Sequence, residues 1–422
     1  MRLCRLHAIV WWPWEAREIQ LARILMLDGH SAAALAFVRS LGRRGHWVAV
    51  GSDRGSFAQA ALSRYCRAAW QYPISTDDAD GFLEAVLDFA RRQSIELIIP
   101  GTDWTLLPLS LNRTEFQNVC RLALPGHQAL ELTSDKYKTI ELARQAGVPV
   151  PATVLVKSRD ELTLLGEFKC PAVVKDRFSA RWQGNRAVVG TTSYAYSREE
   201  LAEKVSERLA ACSDVLVQEF SGGTGIGFSC FVAAGQIYLP FEWQRIREVD
   251  PRGSGSSARK SVALDLQILE FSRSLILRAG FDGITMVEFK RDPKTGYAYL
   301  MEINGRPWGS LGLPIACGID YPNWLANWCL GGTLPPKDIQ YKKGVVCRRL
   351  VGELTHLLNV RAGRPENWPA RYPSFWSTLI RVAVPWYPGM CYDDLSWRDP
   401  WPGFAGVGHW LRERVMTRVS KY

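Results

Sequence analysis

Short apolar, β-prone runs alternate with longer amphipathic stretches along this chain, and their order predicts an α/β beginning followed by an α+β body. Ile24-Leu25-Met26-Leu27 reads as a buried strand, and Asp28-Gly29-His30-Ser31 turns it into an Ala-rich helix ending near Gly45. Trp47-Val48-Ala49-Val50 reads as the next strand, a helix over Phe82 to Arg92 feeds Glu96-Leu97-Ile98-Ile99-Pro100, and Arg121-Leu122-Ala123-Leu124 runs into a Pro-Gly turn. Residues 22–125 are therefore expected to form a parallel sheet with ligand loops at its strand ends, Gly101-Thr102-Asp103 lining the resulting cleft. The first turn holds only Asp28-Gly29-His30, so the glycine fingerprint of a dinucleotide site is missing.

Beyond a helix from Asp135 to Gln145 and the stiff connector Val148-Pro149-Val150-Pro151, the pattern changes. Strands are expected at Thr153-Val156, Pro171-Lys175, Ala187-Val189 and Val215-Phe220, with helices at Arg159-Leu165 and Arg198-Ala210. Asp176 to Arg186 reads as a polar loop, Ser221 to Gly227 as a Gly-rich turn, and Asp250 to Lys260 as the most flexible internal segment. Helices on one side of a largely antiparallel sheet are implied.

The pair Ile284-Thr285-Met286-Val287-Glu288-Phe289-Lys290 and Tyr297-Ala298-Tyr299-Leu300-Met301-Glu302-Ile303-Asn304-Gly305-Arg306 carries the most chemistry. The turn Arg291-Asp292-Pro293-Lys294-Thr295-Gly296 is a hairpin signal that would set Glu288 beside Glu302. Residues two apart in a strand share a face, so Glu302, Asn304 and Arg306 can line one surface. Two adjacent carboxylates repel unless a cation lies between them, and Mg²⁺ on nucleotide phosphates is the natural occupant. Spacing alone leaves a solvated strand pair equally open.

Composition narrows the class. The 422 residues exceed one ordinary core, and 47% hydrophobic with 22% charged residues describes a soluble globular protein. No apolar run is long enough to span a membrane. The ten Cys show no C-x-x-C pair, which argues against a zinc site and for reduced thiols in a cytoplasmic protein. Residues 1–21 read as a leader or upstream extension. The net charge of +10 gathers late: from Pro335 to Tyr422 there are 14 Lys and Arg against 7 Asp and Glu, with six of the 17 Trp. Core aromatics with a solvated basic face are the favoured reading of that tail, and surface binding the other.

In order, the chain presents Lys136 after an Asp, Lys175 at a strand end, the edge Val217-Gln218-Glu219-Phe220, Glu288, and Met301-Glu302-Ile303-Asn304-Gly305-Arg306-Pro307. This set resembles the ATP-grasp superfamily, in its carboxylate-amine ligase branch. It looks most similar to the bacterial "predicted ATP-dependent carboligase" group, whose motif continues into Trp308-Gly309-Ser310-Leu311 and the Gly318 to Pro322 segment. Ser396-Trp397-Arg398-Asp399-Pro400-Trp401-Pro402 resembles a late Asp-Pro-x-Pro element of that group.

The resemblance implies a pre-ATP-grasp α/β domain over 22–125, a first ATP-grasp subdomain with a lid loop over 126–215, a second with the metal hairpin over 216–334, and a basic Trp-rich region over 335–422. It implies that Lys136 and Lys175 meet the nucleotide phosphates, that Gln218, Glu219 and Phe220 meet the adenine, and that Glu288, Glu302 and Asn304 hold Mg²⁺, with Mn²⁺ as an alternative. Arg306, with Lys175, would act on the transferred phosphate. Arg177, Arg181 and Arg186 of the lid would contact phosphates, and Arg245, Arg247 and Ser256 are candidates for binding the acid substrate. The family often holds the ribose with a carboxylate near the turn after the hinge, and Gly225-Ile226-Gly227-Phe228 offers none.

The implied reaction is ATP-dependent joining of a small-molecule or short-peptide carboxylate to an amine through an acyl phosphate. No specific nucleic acid is expected as a partner, while peripheral membrane contact by the tail and a homo-oligomer are left open. The alternative is a catalytically inactive ATP-binding regulatory or interaction protein with a surface-binding tail.

Overall fold

The computed structural model describes residues 21–419 apart from 167, 212–213, 254, 338, 367 and 369–370. The expected leader thus lies, except for Leu21, outside the described residues. The chain runs β1 (Arg23–Met26), α1 (Ala32–Arg43), β2 (Trp47–Asp53), β3 (Cys66–Tyr72), α2 (Ala79–Arg92), β4 (Leu97–Ile99), α3 (Asp103–Leu111), α4 (Arg113–Phe116) and β5 (Arg121–Leu122). These five strands form one parallel sheet in the order β3-β2-β1-β4-β5. β3 was not expected, because Cys66–Tyr72 alternates half-buried and exposed positions at the sheet edge in place of a continuous apolar run.

Next come α5 (His127–Ser134), α6 (Lys136–Gln145), β6 (Thr153–Val156), β7 (Ala172–Asp176), β8 (Ala180–Gln183), β9 (Arg186–Val189), β10 (Thr192–Ala195), α7 (Arg198–Ala211) and β11 (Val215–Glu219). β10-β7-β11-β6 make a small antiparallel sheet. Its Val174, Val215 and Val217 face pack on Leu201 and Val205 of α7. The polar loop expected over 176–186 is corrected to a hairpin: β8 and β9 pair around Gly184, whose φ of +61° suits the tight turn. The helix expected at 159–165 is a 3₁₀ helix.

The largest sheet uses β12 (Thr224–Ala233), β13 (Gln236–Glu248), β14 (Ser256–Ser261), α8 (Leu266–Arg278), β15 (Gly283–Arg291), β16 (Ala298–Asn304), α9 (Gly312–Ala316), α10 (Tyr321–Gly331), β17 (Val346–Arg348), α11 (Leu350–Arg361), α12 (Phe375–Ala383), β18 (Met390–Tyr392) and α13 (Trp401–Val419). Its strand order is β16-β15-β12-β13-β14-β17-β18. The Gly-rich turn and the flexible segment are both shorter than expected, since strands already begin at Thr224 and Ser256. Gly225 and Gly227 serve close approach: a Cβ on Gly225 would lie 2.6 Å from Arg245 Cδ, and one on Gly227 would strike the Trp243 ring.

One face of this sheet packs Ile226, Phe228, Val287 and Phe289 against α8. The opposite face shares a core with the first sheet, where Phe241, Trp243, Ile284 and Met286 meet Ile24, Met26 and α1. The segment after Pro335 does not stand apart, because β17 and β18 extend the large sheet. Asp399 of the late Asp-Pro element is 1% exposed and accepts from Arg39 Nε (2.8 Å), Ser63 Oγ (2.7 Å) and the Arg64 amide (2.9 Å). The reading of the tail Trp residues as core is also corrected. Trp368 is buried, whereas Trp376, Trp386, Trp397 and Trp401 are exposed.

Removing Asp399 would strand the Arg39 guanidinium in the interior, and breaking a buried pair in this way costs about 3–5 kcal/mol. Asp399→Ala is expected to lose stability on that scale in urea unfolding; a wild-type midpoint would show that the ion pair does not hold the tail to the first sheet.

Candidate active site

The two antiparallel strands β15 and β16 place Glu288 directly opposite Glu302, and Met286 opposite Asn304. The register slips by one between these pairs and Phe289/Leu300, so Met301 is a bulge residue. That extra residue lets Leu300 and Ile303 both reach the α8 core while Glu302 and Asn304 share the other face. Asn304 Nδ2 donates to Glu302 Oε1 at 2.9 Å. Arg306 follows the strand end, with Nε 3.0 Å from Asp103 Oδ1 at the start of α3.

Arg245 on β13 supplies the missing positive charge. It spans Glu288 and Glu248, the latter at 3.1 Å, across the space left open by Gly225. Burial pushes the Glu288 carboxyl above its ordinary range, Arg245 pulls it back, and Glu302 adds to the rise. The oxygen donors of Glu288, Glu302 and Asn304 suit a hard cation, while in this structure Arg245 pairs with Glu288. Among the described residues no group of three or more His, Cys, Asp and Glu could hold a metal ion.

Across the cleft stand both lysines. Asp135 caps α6 through the Tyr137 and Lys138 amides and is itself gripped by Arg177, which fixes Lys136 at the helix start. Lys136 Nζ donates to the Asp176 carbonyl at 3.1 Å, and Lys175 Nζ to Gln218 Oε1 at 2.7 Å. Burial lowers the Lys136 pKa, opposed by Glu302, Asp176 and Asp103. Desolvation brings Lys175 down to about 8, against the attraction of Glu302. Arg306 is held above its ordinary value: burial works against its charge, but Asp103 and Glu302 outweigh it. A cavity of about 160 Å³ brings Lys136, Lys175, Gln218, Glu302, Asn304 and Arg306 together.

Glu219 and Phe220 face a second, larger cavity of about 730 Å³ at the outer end of the cleft, with Lys290, Tyr299 and Trp368. The strand-edge expectation there is corrected, because β11 lies between β7 and β6. The Glu219 amide already donates to Ala152 and that of Phe220 to Pro171. Phe220 instead offers its ring, edge-on to Trp368 with centroids 5.0 Å apart. Lys290 lies two residues beyond Glu288, so the alternation that marked Glu302 and Asn304 could have found it. No motif pointed to Trp368, which arrives from the tail.

Two acid-substrate candidates are placed elsewhere. Arg247 is committed to the fully buried Glu353, with Nε 2.9 Å from Oε1, a carboxylate also bound by Arg348 and Ser257. The Ser256 hydroxyl donates to its own strand, at Ala258 O. In the segment expected to be a lid, Arg177 bridges Asp135 and Asp214, and Arg181 lines a groove outside the main cavity. The tip of the β8–β9 hairpin latches onto the first domain. Asn185 donates to Asp78 (2.9 Å) and accepts from the Asp80 amide (2.7 Å), Ala79 donates to the Asn185 carbonyl, and the Ala187 amide reaches Thr76 O.

Residues 212–351 match the family model described as "ATP-grasp in the biosynthetic pathway with Ter operon". A carbamoyl-phosphate synthase of Methanobrevibacter smithii is 25% identical over 273 residues, covering 62% of this chain and 70% of that protein. Among solved structures, N5-carboxyaminoimidazole synthetase from Staphylococcus aureus, complexed with ADP, superposes with a TM-score of 0.61 at 19% identity, over 80% of this chain and 85% of that one. The biotin carboxylase domain of Hydrogenobacter thermophilus 2-oxoglutarate carboxylase, with MgADP and bicarbonate, gives 0.61 at 18% identity over 78% and 74%. An L-amino acid ligase from Bacillus licheniformis gives 0.55 at 16% identity over 74% and 75%. Residues 212–351 thus match an ATP-grasp family model, and the chain shares the fold of these solved structures.

Asn185→Ala removes two side-chain bonds of the latch while leaving the cores intact. Amide exchange in β8 and β9 is expected to quicken about tenfold, the scale of one or two lost hydrogen bonds, without a matching fall in global stability. Unchanged exchange would mean that the hairpin is held by something else.

Proposed function

We propose that this chain is an ATP- and Mg²⁺-dependent ligase that joins a carboxylate to an amine through an acyl phosphate, releasing ADP and phosphate. The observation that carries this reading is the opposition of Glu288 and Glu302 in one register, flanked by Asn304 and Arg306 and faced across the cleft by Lys136 and Lys175. Solved relatives of the same fold bind ADP or MgADP, which supports placing nucleotide phosphates in this cavity. Glu288, Glu302 and Asn304 would hold Mg²⁺, whose charge would offset that building on the phosphates. Cytoplasmic placement belongs to the same reading, supported by the eight described cysteines, all free.

Chemistry then follows from position. Lys136 and Lys175 orient the phosphate chain, and ligand phosphates would restore the positive charge that burial costs Lys175. A carboxylate oxygen of the acid attacks the γ-phosphorus, and the bond to the β-bridging oxygen breaks to leave ADP. Arg306 presents a planar fork to the acyl phosphate oxygens. The amine, freed from its ammonium form by loss of one proton to solvent, bonds through nitrogen to the acyl carbon as the carbon–oxygen bond to phosphate breaks, and the departing phosphate takes the second proton. The outer cavity, with Phe220, Lys290 and Trp368, would take the base.

Substitution Glu302→Gln keeps the shape but removes an anionic ligand and is expected to lower turnover by at least about a hundredfold. The assay is ADP and phosphate release with ATP, Mg²⁺ and pools of carboxylates and amines. Turnover equal to that of the wild type would sink the metal assignment.

A surface contact of the tail belongs to the same proposal. On α12, Trp376 and Ile380 stand one turn apart and exposed, followed by exposed Val384, Trp386 and Tyr387, beside Arg381. With the tail's excess of Lys and Arg, this suits an anionic lipid surface. Cosedimentation with phosphatidylserine vesicles, lost at high salt and reduced in Ile380→Ser, is the expected result. No cosedimentation, or a doubled mass in solution without lipid, would replace the membrane with no partner or with a second copy.

A further inference from the structure

The cavity at Arg306 continues beyond the phosphate cradle. Its far wall comes from α3 and α5, where Leu106, Leu107 and Leu130 stand around Asp103. Leu107, Leu130 and Ser134 also border a groove of about 540 Å³ covered by Phe178, Arg181 and Trp182 of the lid region. The two spaces therefore share one wall, and the latched lid roofs the outer part. Charges along the groove largely cancel internally: Arg177 is taken by Asp135 and Asp214, and Lys138 by Glu131. Apolar surface remains along the groove, with one carboxylate, that of Asp103, at its inner end next to Arg306.

We infer that this groove admits the amine substrate, that the substrate is a primary amine carrying an apolar chain, and that Asp103 receives its ammonium group. This inference rests on the ligase reading and adds a substrate class to it. A carboxylate at the inner end repels an acid and attracts a cation, which favours the amine over the acid partner. Asp103 now lies beside Arg306; once Arg306 turns to the nucleotide's γ-phosphate or to the acyl phosphate formed from it, Asp103 exchanges that partner for the ammonium, which loses a proton to solvent before its nitrogen attacks the acyl carbon. Leu107 and Leu130 would cover the hydrocarbon, whose transfer out of water supplies the preference for an apolar chain. Asp103 thus acts in recognition and positioning.

Calorimetry on the full chain tests this with hexylamine, ethanolamine and hexanoate as probes, each added with Mg²⁺ and a non-hydrolysable ATP analogue. Hexylamine is expected to bind at least about tenfold more tightly than either other probe. Asp103→Asn and Leu107→Asn should each weaken hexylamine about tenfold while leaving the nucleotide within twofold. Hexanoate binding as tightly as hexylamine, or hexylamine binding untouched by both variants, would overturn the inference while leaving the ligase reading in place. Failure of the wild type to bind the nucleotide would remove the ligase reading and this inference with it.

Discussion

Two carboxylates held opposite each other on neighbouring strands form the constraint on which the rest of the site depends. Glu288 and Glu302 lie opposite each other in register, and burial together with the Glu302 charge raises the Glu288 carboxyl above its ordinary range. Arg245 offsets the Glu288 charge, and Gly225 exists as glycine to let its side chain lie across β12. A bulge at Met301 turns Glu302 and Asn304 into the cleft without pulling Leu300 and Ile303 from the core. The opposite wall answers with two lysines whose ammonium groups are themselves partly desolvated. Both walls thus store charge that a phosphate chain with a divalent cation would balance.

The surrounding architecture frames the carboxylate wall. A shared core welds the first sheet to the large one, so that α3 brings Asp103 to Arg306. At the other end the tail returns Trp368 to the outer cavity and ties itself down through Asp399 and Glu353. The β8–β9 hairpin is the lighter connection, since its tip rests on the α2 start through hydrogen bonds centred on Asn185. A light cover of this kind is what the proposed function would ask of a cleft that must shut out water during transfer and then open.

Much of this was legible in the chain where a local rule had no competitor. Alternation along β16 put Glu302 and Asn304 on one face, and the hairpin turn joined β15 to β16, but the bulge at Met301 that sets Glu288 opposite Glu302 had no signal in the chain. Local rules failed where long-range packing decided. Gly225 and Gly227 look like turn residues but are strand residues that make room for Arg245 and Trp243. Arg247 resembled a free substrate arginine because its partner Glu353 lies more than a hundred residues away. Val217 to Phe220 resembled a strand edge, but β6 and β7 lie on either side of β11. Aromatic composition could not distinguish Trp368, wedged against Phe220, from Trp397, which stands 97% exposed.

The central claim is that the carboxylate pair is a metal site completed by nucleotide phosphates. Electron paramagnetic resonance of Mn²⁺ titrated into the protein tests it directly, because free and bound Mn²⁺ give distinct signals. The account predicts little bound Mn²⁺ with protein alone and tight binding once ADP is added, beyond what ADP binds by itself. It also predicts that this added binding disappears when Glu288 and Glu302 are both changed to Gln. Mn²⁺ that ignores the protein in the presence of ADP, or that binds the doubly changed chain as well as the wild type, would contradict the account.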